Sequence, residues 1–242
     1  MIEIIPAIDI MEGRCVRLAK GDYSRKKVYD SSPLEMALRY ADCGVKRIHV
    51  VDLDGAKSSR PINLKTLETL ASKVDLEIEW GGGLSSDEAL HSAFDAGATC
   101  AVIGSVAVKE PEMMHRWLKT FSPERIILGA DVRGRKVAVK GWQEDSEVTI
   151  DTLISSFLQD SLSQVICTDI SRDGMLQGPS FDLYTSLAES YPGITFTVSG
   201  GISSFSDIER LEEMGHKRVI VGKAVYEGRI TLKQIEKWSL NA

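Results

Sequence analysis

A chain of 242 residues, 43% of them hydrophobic, can bury a large core, which excludes a disordered protein and matches one large α/β domain of about 250 residues. Its formal net charge of −6 excludes a broad electrostatic contact with nucleic acid or with an anionic membrane surface. A local cationic pocket for a small phosphorylated molecule remains compatible with that charge.

In chain order, short apolar, β-branched runs alternate with longer amphipathic ones. The first strand starts near Ile2 and soon meets Asp9. That start lacks the basic residues and long apolar run of a signal peptide, and no segment is long enough to span a bilayer. The expected protein is soluble and cytoplasmic, with no membrane partner. Further strands start near Arg47, Leu76, Cys100, Arg125, Gln164, Ile194 and Arg218, and helices follow near Pro33, Ile62, Asp87, Pro111, Ile150, Phe181, Ser206 and Thr231. Ser32, Pro33 and Glu35 supply a hydroxyl cap, a proline at the first helical position and a glutamate that bonds back. Gly44 and Gly97 stand where helices should stop.

Strand-then-helix alternation requires a parallel sheet, because parallel neighbours need crossover connections. Eight such units with no linker rich in proline, glycine or serine predict a single (βα)8 (TIM) barrel over residues 1–242. The cysteines Cys15, Cys43, Cys100 and Cys167 are widely spaced and read as reduced core thiols. No two of His49, His91, His115 and His216 stand at the interval of a helical metal pair, so no metal is expected.

The second half of the chain echoes the first. Ile4-Ile5 and Asp9 match Ile126-Ile127 and Asp131, and Gly13-Arg14-x-Val16 matches Gly134-Arg135-x-Val137. Gly82 to Ser86 matches Gly200 to Ser204, Gly97 matches Gly215, and Ile103-Gly104 matches Val221-Gly222. Matches in one order at a nearly constant spacing predict two similar half-barrels. Asp9 at the end of the first strand and Asp131 at the end of the fifth should then face each other across the mouth.

Functional residues of such barrels lie at the C-terminal strand ends, where Asp9, Asp52, Asp131, Thr168 and Asp169 fall. A carboxylate ending an apolar strand is costly to desolvate unless paired or used. Two opposed carboxylates can divide acid and base work, whereas Asp52 and Asp169 can equally well hold loops. Gly81-Gly82-Gly83, Gly104-Ser105, Gly200-Gly201 and Gly222-Lys223 follow strands three, four, seven and eight. Glycine lets backbone N–H groups approach a phosphate closely, and two symmetry-related sets predict a substrate with a phosphate at each end. Three connections read as functional. Residues 10–30 carry Arg14, Arg17, Lys20 and Arg25, residues 132–148 hold a hairpin with Trp142, and residues 170–180 are rich in glycine around Asp173. Trp142 can stack on a flat heterocycle.

Pro6-Ala7-Ile8-Asp9, His49-Val50-Val51-Asp52-Leu53, Gly129-Ala130-Asp131, Lys140-Gly141-Trp142 and Thr168 to Gly174 resemble the phosphoribosylformimino-aminoimidazole carboxamide ribotide isomerases of histidine biosynthesis. The similarity runs from end to end, to Gly222-Lys223-Ala224. It implies an Amadori rearrangement of an aminoaldose to an aminoketose, on a substrate with two phosphoribosyl ends. It implies no cofactor and no obligate protein partner. By that resemblance Asp9 is the general base, Asp131 the general acid, Thr168 an assistant near the reacting sugar, and Asp173 a further acid or substrate ligand. Arg17, Gly83, Gly104, Ser105, Trp142, Gly174, Gly201, Gly222 and Lys223 are the expected substrate- and phosphate-binding residues. Ser85 stands where many relatives carry arginine, and Arg60 where a small residue is common, which concerns loop contacts rather than the carboxylate pair.

Competing readings share much of this pattern. The sister cyclase barrel of the same pathway has both aspartates and both phosphate sites, but usually begins with a Cys-Leu-Asp strand end and differs after strand six. An isomerase that also takes the tryptophan-pathway substrate is a second alternative. A non-catalytic phosphosugar-binding barrel is a third, against which stand both Asp9 and Asp131.

Overall fold

The computed structural model describes residues 1–19, 22–139, 141–142 and 144–240. Lys20 and Lys140 lie outside the described residues, as does the side chain of Arg25. Eight parallel strands form the barrel: β1 (Glu3–Met11), β2 (Arg47–Asp52), β3 (Glu77–Gly81), β4 (Cys100–Ile103), β5 (Ile126–Arg133), β6 (Gln164–Asp169), β7 (Thr195–Ser199) and β8 (Arg218–Val221). Each pairs with its neighbour in chain order; β8 pairs with β1, from Glu3 opposite Arg218 to Pro6 opposite Val221. Helices cross between successive strands, so the fold is the expected (βα)8 barrel.

Strand periodicity sorts the side chains. Ile4, Ile8 and Ile10 of β1 pack outward with helical Met36, Leu67 and Leu70. Ile5 and Ala7 point inward, where they meet Cys100, Ile127, Ile166 and Ile220 in a separate cluster. At the N-terminal strand ends the interior is polar. Arg47 Nε lies 3.3 Å from Glu3, whose other oxygen accepts from Arg218 at 3.1 Å. Arg47 also pairs with Glu77 and Glu79, and Arg218 Nη1 donates to Gln164 at 2.6 Å. An ionic belt therefore closes the lower end beneath an apolar layer.

Local chemistry explains the boundaries. Ser32 and Glu35 form the capping box that starts the helix Pro33–Asp42, and Gly44 follows its end at φ +75°. Each of the predicted strand and helix starts lies within two residues of the observed one. Two features differ. Residues 10–30 are largely sheet, since Arg14–Ala19 pairs antiparallel with β1 and with Asp22–Val28. Short helices also follow β2, β4 and β8, at Leu53–Ser58, Ser105–Lys109 and Lys223–Tyr226. They are too short to leave a helical period in the sequence.

The two halves repeat a loop anchor. Asp52, fully buried, accepts from the backbone N–H groups of Gly55 at 2.8 Å, Ile62 at 2.7 Å and Asn63 at 2.9 Å, and from the Asn63 amide at 2.6 Å. Asp169 holds the loop after β6 through the Ser171 N–H at 2.9 Å and hydroxyl at 2.6 Å, and through the Ser180 hydroxyl. Both are loop anchors. Gly82 and Gly200 sit against the two backbones: a Cβ would fall 2.2 Å from the Asp52 carbonyl oxygen and 2.7 Å from that of Asp169. With φ at +102° and a backbone atom in the way, Gly82→Ala should cost about 3 kcal/mol or more. Gly215→Ala, also at positive φ but with open space around it, should cost about 1 kcal/mol. Urea unfolding of the two variants measures the difference.

Candidate active site

Asp9 lies opposite Val51 of β2 on one side and Val16 of the hairpin on the other. The hairpin folds back over β1 and brings the next residue, Arg17, above the strand it left. Arg17 Nη1 is 2.7 Å from Asp9 Oδ2, and Nη2 donates to the Ala7 carbonyl at 2.8 Å. Only 14% of the Arg17 side chain and 15% of the Asp9 side chain remain exposed, so solvent screens this pair weakly. Burial is the largest single influence and disfavours the guanidinium charge, but Asp9, Tyr226, Asp173 and Tyr40 together hold the Arg17 pKa above its ordinary value.

Asp131 lies in β5 opposite Thr168 of β6. Burial pushes its pKa up, and hydrogen bonds from the Trp142 indole and the Thr168 hydroxyl pull it partly back. The charge on His49 acts in the same lowering sense. Trp142 holds this contact from a left-handed backbone at φ +70°, an uncommon conformation for a bulky residue. Such strain persists where surrounding structure enforces it and concentrates at functional sites.

The loop after β6 brings Asp173 within electrostatic reach of both carboxylates. Asp173 is pushed up to about 6, chiefly by burial, with Arg17 opposing and with Asp9 and Asp131 adding to the rise; Lys223 also lowers it. It therefore sits in the field of both half-barrels' aspartates. Lys223 Nζ donates to the Gly174 carbonyl at 2.8 Å and ties this loop to the β8 end. A Cβ on Gly222 would fall 2.4 Å from the Arg17 guanidinium, so the absence of a side chain there admits Arg17. Arg17, Asp9, Asp173, Gly174, Gly222 and Lys223 thus gather on one rim.

On the other rim, Gly83 (φ +79°) packs against the Arg60–Pro61 backbone, where a Cβ would come within 2.4 Å of the Arg60 carbonyl carbon. Gly201 (φ +87°) has the same relation to Gly178, whose N–H donates to the Gly201 carbonyl at 3.0 Å. Loop packing alone requires both glycines, independently of any ligand. Gly104 and Gly222 precede their short helices in the two halves. Ser85 donates to the Ser59 carbonyl and joins the β2 and β3 loops. The Arg17–Asp9 pair was not apparent from the sequence; its one local signal is a glycine turn between the two residues, Gly13 at φ +71°, that folds the strand back.

Carboxylates beside Arg17 and Lys223 at the C-terminal strand ends of a closed parallel barrel define a barrel enzyme. The model of the family described as "Histidine biosynthesis protein" matches residues 3–231. A relative from Cytophaga hutchinsonii is 52% identical over 99% of this chain and its own whole length. One from Parabacteroides distasonis is 48% identical over 99% of this chain and its whole length, and one from Flavobacterium johnsoniae 48% identical over 98% of this chain and 99% of its own. All three are named 1-(5-phosphoribosyl)-5-((5-phosphoribosylamino)methylideneamino)imidazole-4-carboxamide isomerase. The chain belongs to this histidine-biosynthesis family of isomerases. Among the described residues no helix is long and apolar enough to cross a membrane.

The Asp173 shift has a stability consequence of definite sign. The unfolded aspartate titrates at its ordinary 3.8 and the folded one at about 6, so the folded chain binds more protons between those values. Native stability therefore falls as pH rises through that window. Asp173→Asn removes the desolvated charge and should raise Tm by roughly 6–12 °C near pH 8, with little gain near pH 4. Thermal melts of both proteins across that range check the sign.

Proposed function

We propose that this protein catalyses the Amadori rearrangement of N'-((5'-phosphoribosyl)formimino)-5-aminoimidazole-4-carboxamide ribonucleotide to the phosphoribulosyl aminoketose, without a cofactor, and that residues 1–242 act as one catalytic domain. The observation that carries this reading is the unequal pair of mouth carboxylates. Asp9 is ion-paired with Arg17, whereas Asp131 takes neutral donors, Trp142 and Thr168, and desolvation raises its pKa. An ionised carboxylate suits a base, and one whose proton affinity is raised suits an acid.

In this scheme Asp131, oriented by Thr168, delivers a proton to the ribose ring oxygen. The C1'–oxygen bond breaks, and the amine lone pair forms the protonated imine. Asp9 then takes the proton from C2', and the electron pair passes into the imine to give the enolamine. Protonation at C1' of the tautomerising enolamine yields the ketose. Asp173, with a pKa near 6, is a further acid or substrate ligand in the same mouth.

The two phosphates would occupy opposite rims. Backbone N–H groups around Gly83, Gly104 and Ser105 serve one, and Gly174, Gly201, Gly222, Lys223 and Arg17 serve the other. Trp142, beside Asp131, is suited to stack on the aminoimidazole ring. A bisphosphorylated small molecule then suffices as partner, with no second protein. The cyclase reading receives no support from the relatives' names, which are those of isomerases.

Losing one positioned acid or base costs roughly 100- to 10,000-fold in rate. Asp9→Asn and Asp131→Asn should each lose turnover of the aminoaldose by that factor while binding it nearly as wild type, because the phosphates supply most of the affinity. Asp9→Asn should also stop exchange of solvent deuterium at the sugar C2'. Turnover, calorimetric binding and deuterium incorporation measure these three quantities, with the tryptophan-pathway aminoaldose run in parallel. Near wild-type turnover by Asp9→Asn would remove Asp9 from the base role.

A further inference from the structure

The acid–base scheme depends on Arg17 but leaves unused the aromatic ring on which Arg17 rests. Gly222 follows β8 and opens the short helix Lys223–Tyr226, so about one helical turn separates Gly222 from Tyr226. Both lie against the same guanidinium. A Gly222 Cβ would fall 2.4 Å from Arg17 Nη2, and Arg17 Cζ stands over the Tyr226 ring, 5.3 Å from its centroid. Nη1 donates to Asp9 and Nη2 to the Ala7 carbonyl. Arg17 Nε is buried and has no hydrogen-bond partner among the described residues. Hydrogen bonds thus hold the outer end of the guanidinium, and the Tyr226 ring supports its face.

The strand that carries Arg17 is tied to the same helix end. Arg17 pairs with Lys27 in the hairpin ladder. Lys27 Nζ donates to Glu227, the residue after Tyr226, at 2.8 Å, and the Tyr29 hydroxyl donates to the same oxygen at 3.0 Å. The Tyr29 and Tyr226 rings pack with centroids 4.5 Å apart. Water screens the Lys27–Glu227 pair, whose side chains are 59% and 30% exposed, so that pair contributes little by itself. The Tyr226 ring packs against the main core, and Arg17 is mostly buried. A cation is drawn to an aromatic face most strongly where both are desolvated. A guanidinium on a long, flexible stem can follow a carboxylate through many arrangements, whereas a flat ring beneath it favours one. An aliphatic side chain at position 226 would fill space without attracting the cation.

We propose that Tyr226 is a positioning residue for the reaction, its ring holding the Arg17 guanidinium in the orientation in which Nη1 meets Asp9. This rests on the isomerase reading, with Asp9 as base. The short helix would then serve the rim at both ends, with Gly222 and Lys223 at its start toward a phosphate and Tyr226 at its end toward Arg17.

The test combines kinetics with a readout that needs no turnover. Tyr226→Leu removes the aromatic face, and its kcat for the aminoaldose should fall roughly 5- to 30-fold, the scale of a desolvated cation–ring contact. Tyr226→Phe keeps the face and should retain most of the wild-type kcat. Adding Tyr226→Leu to Arg17→Gln should cost little further, because residues that act through one contact are not additive. In nitrogen–proton spectra of the full-length wild-type protein, the Arg17 Nε–H signal, assigned by its loss in Arg17→Gln, should be shifted upfield by the ring. The shift should persist in Tyr226→Phe and vanish in Tyr226→Leu, with Tyr226→Met taking the place of a leucine variant that does not fold. Wild-type kcat in Tyr226→Leu overturns the proposal. So does an equal loss on the Arg17→Gln background, or equal losses in the leucine and phenylalanine variants that follow their Tm. An unshifted Arg17 signal in the wild type overturns the ring contact itself. Absence of turnover in the wild type would instead overturn the isomerase reading and the positioning role with it, while the arginine spectrum still decides the Tyr226–Arg17 contact.

Discussion

Closure of the parallel sheet rests on the pairing of β5 with β6, in which Val165 to Asp169 run alongside Leu128 to Val132. That ladder leaves neither strand with an open edge and fixes which residues share a level inside the barrel. It sets Thr168 opposite Asp131. With side chains alternating in and out, inward positions converge on one axis, and the interior becomes layered. Ionic residues fill the N-terminal end, small and branched apolar ones the middle, and carboxylates the mouth. A slip of one residue would exchange the inward and outward sets and move Asp131 into the helix layer.

The mouth is an electrostatic compromise set by that layering. Carboxylates at the ends of apolar strands lose hydration, and each is compensated differently. Asp9 has a guanidinium, Asp131 has two neutral donors, and Asp173 has the charges of Arg17 and Lys223 against those of Asp9 and Asp131. Asp131 and Asp173 thereby hold a proton more tightly than an ordinary carboxylate, a property that acid–base chemistry near neutral pH uses. Arg17 links this division of labour to the rim beside Gly222, because one guanidinium touches both.

The duplicated halves have kept their scaffold and diverged in their chemistry. Asp52 and Asp169 do the same work, anchoring the loops after β2 and β6, and Gly82 and Gly200 give both anchors the same backbone clearance. At the mouth the equivalents differ. Asp9 meets Arg17 where Asp131 meets Trp142, and Lys223 stands where the first half has Ser105. Arg135, the counterpart of Arg14, is committed to an ion pair with Asp151. Symmetry is retained where backbone geometry demands it and lost where side chains face the cavity.

Strand and helix positions, the half-barrel repeat, and the location of Asp9 and Asp131 at strand ends were all legible in the sequence, because periodicity, capping residues and turn glycines act over a few neighbouring residues. The capping box at Ser32 and the left-handed Gly44 are local in this sense. The ambiguity over Asp52 and Asp169 was decided only by tertiary structure, since their donors include Ile62 and Ser180, ten or more residues away. The same holds for the Arg17–Asp9 pair and the rise of Asp173. Each depends on which side chains the closed barrel brings within a few ångströms, and proximity between separate strands leaves no periodic trace along the chain.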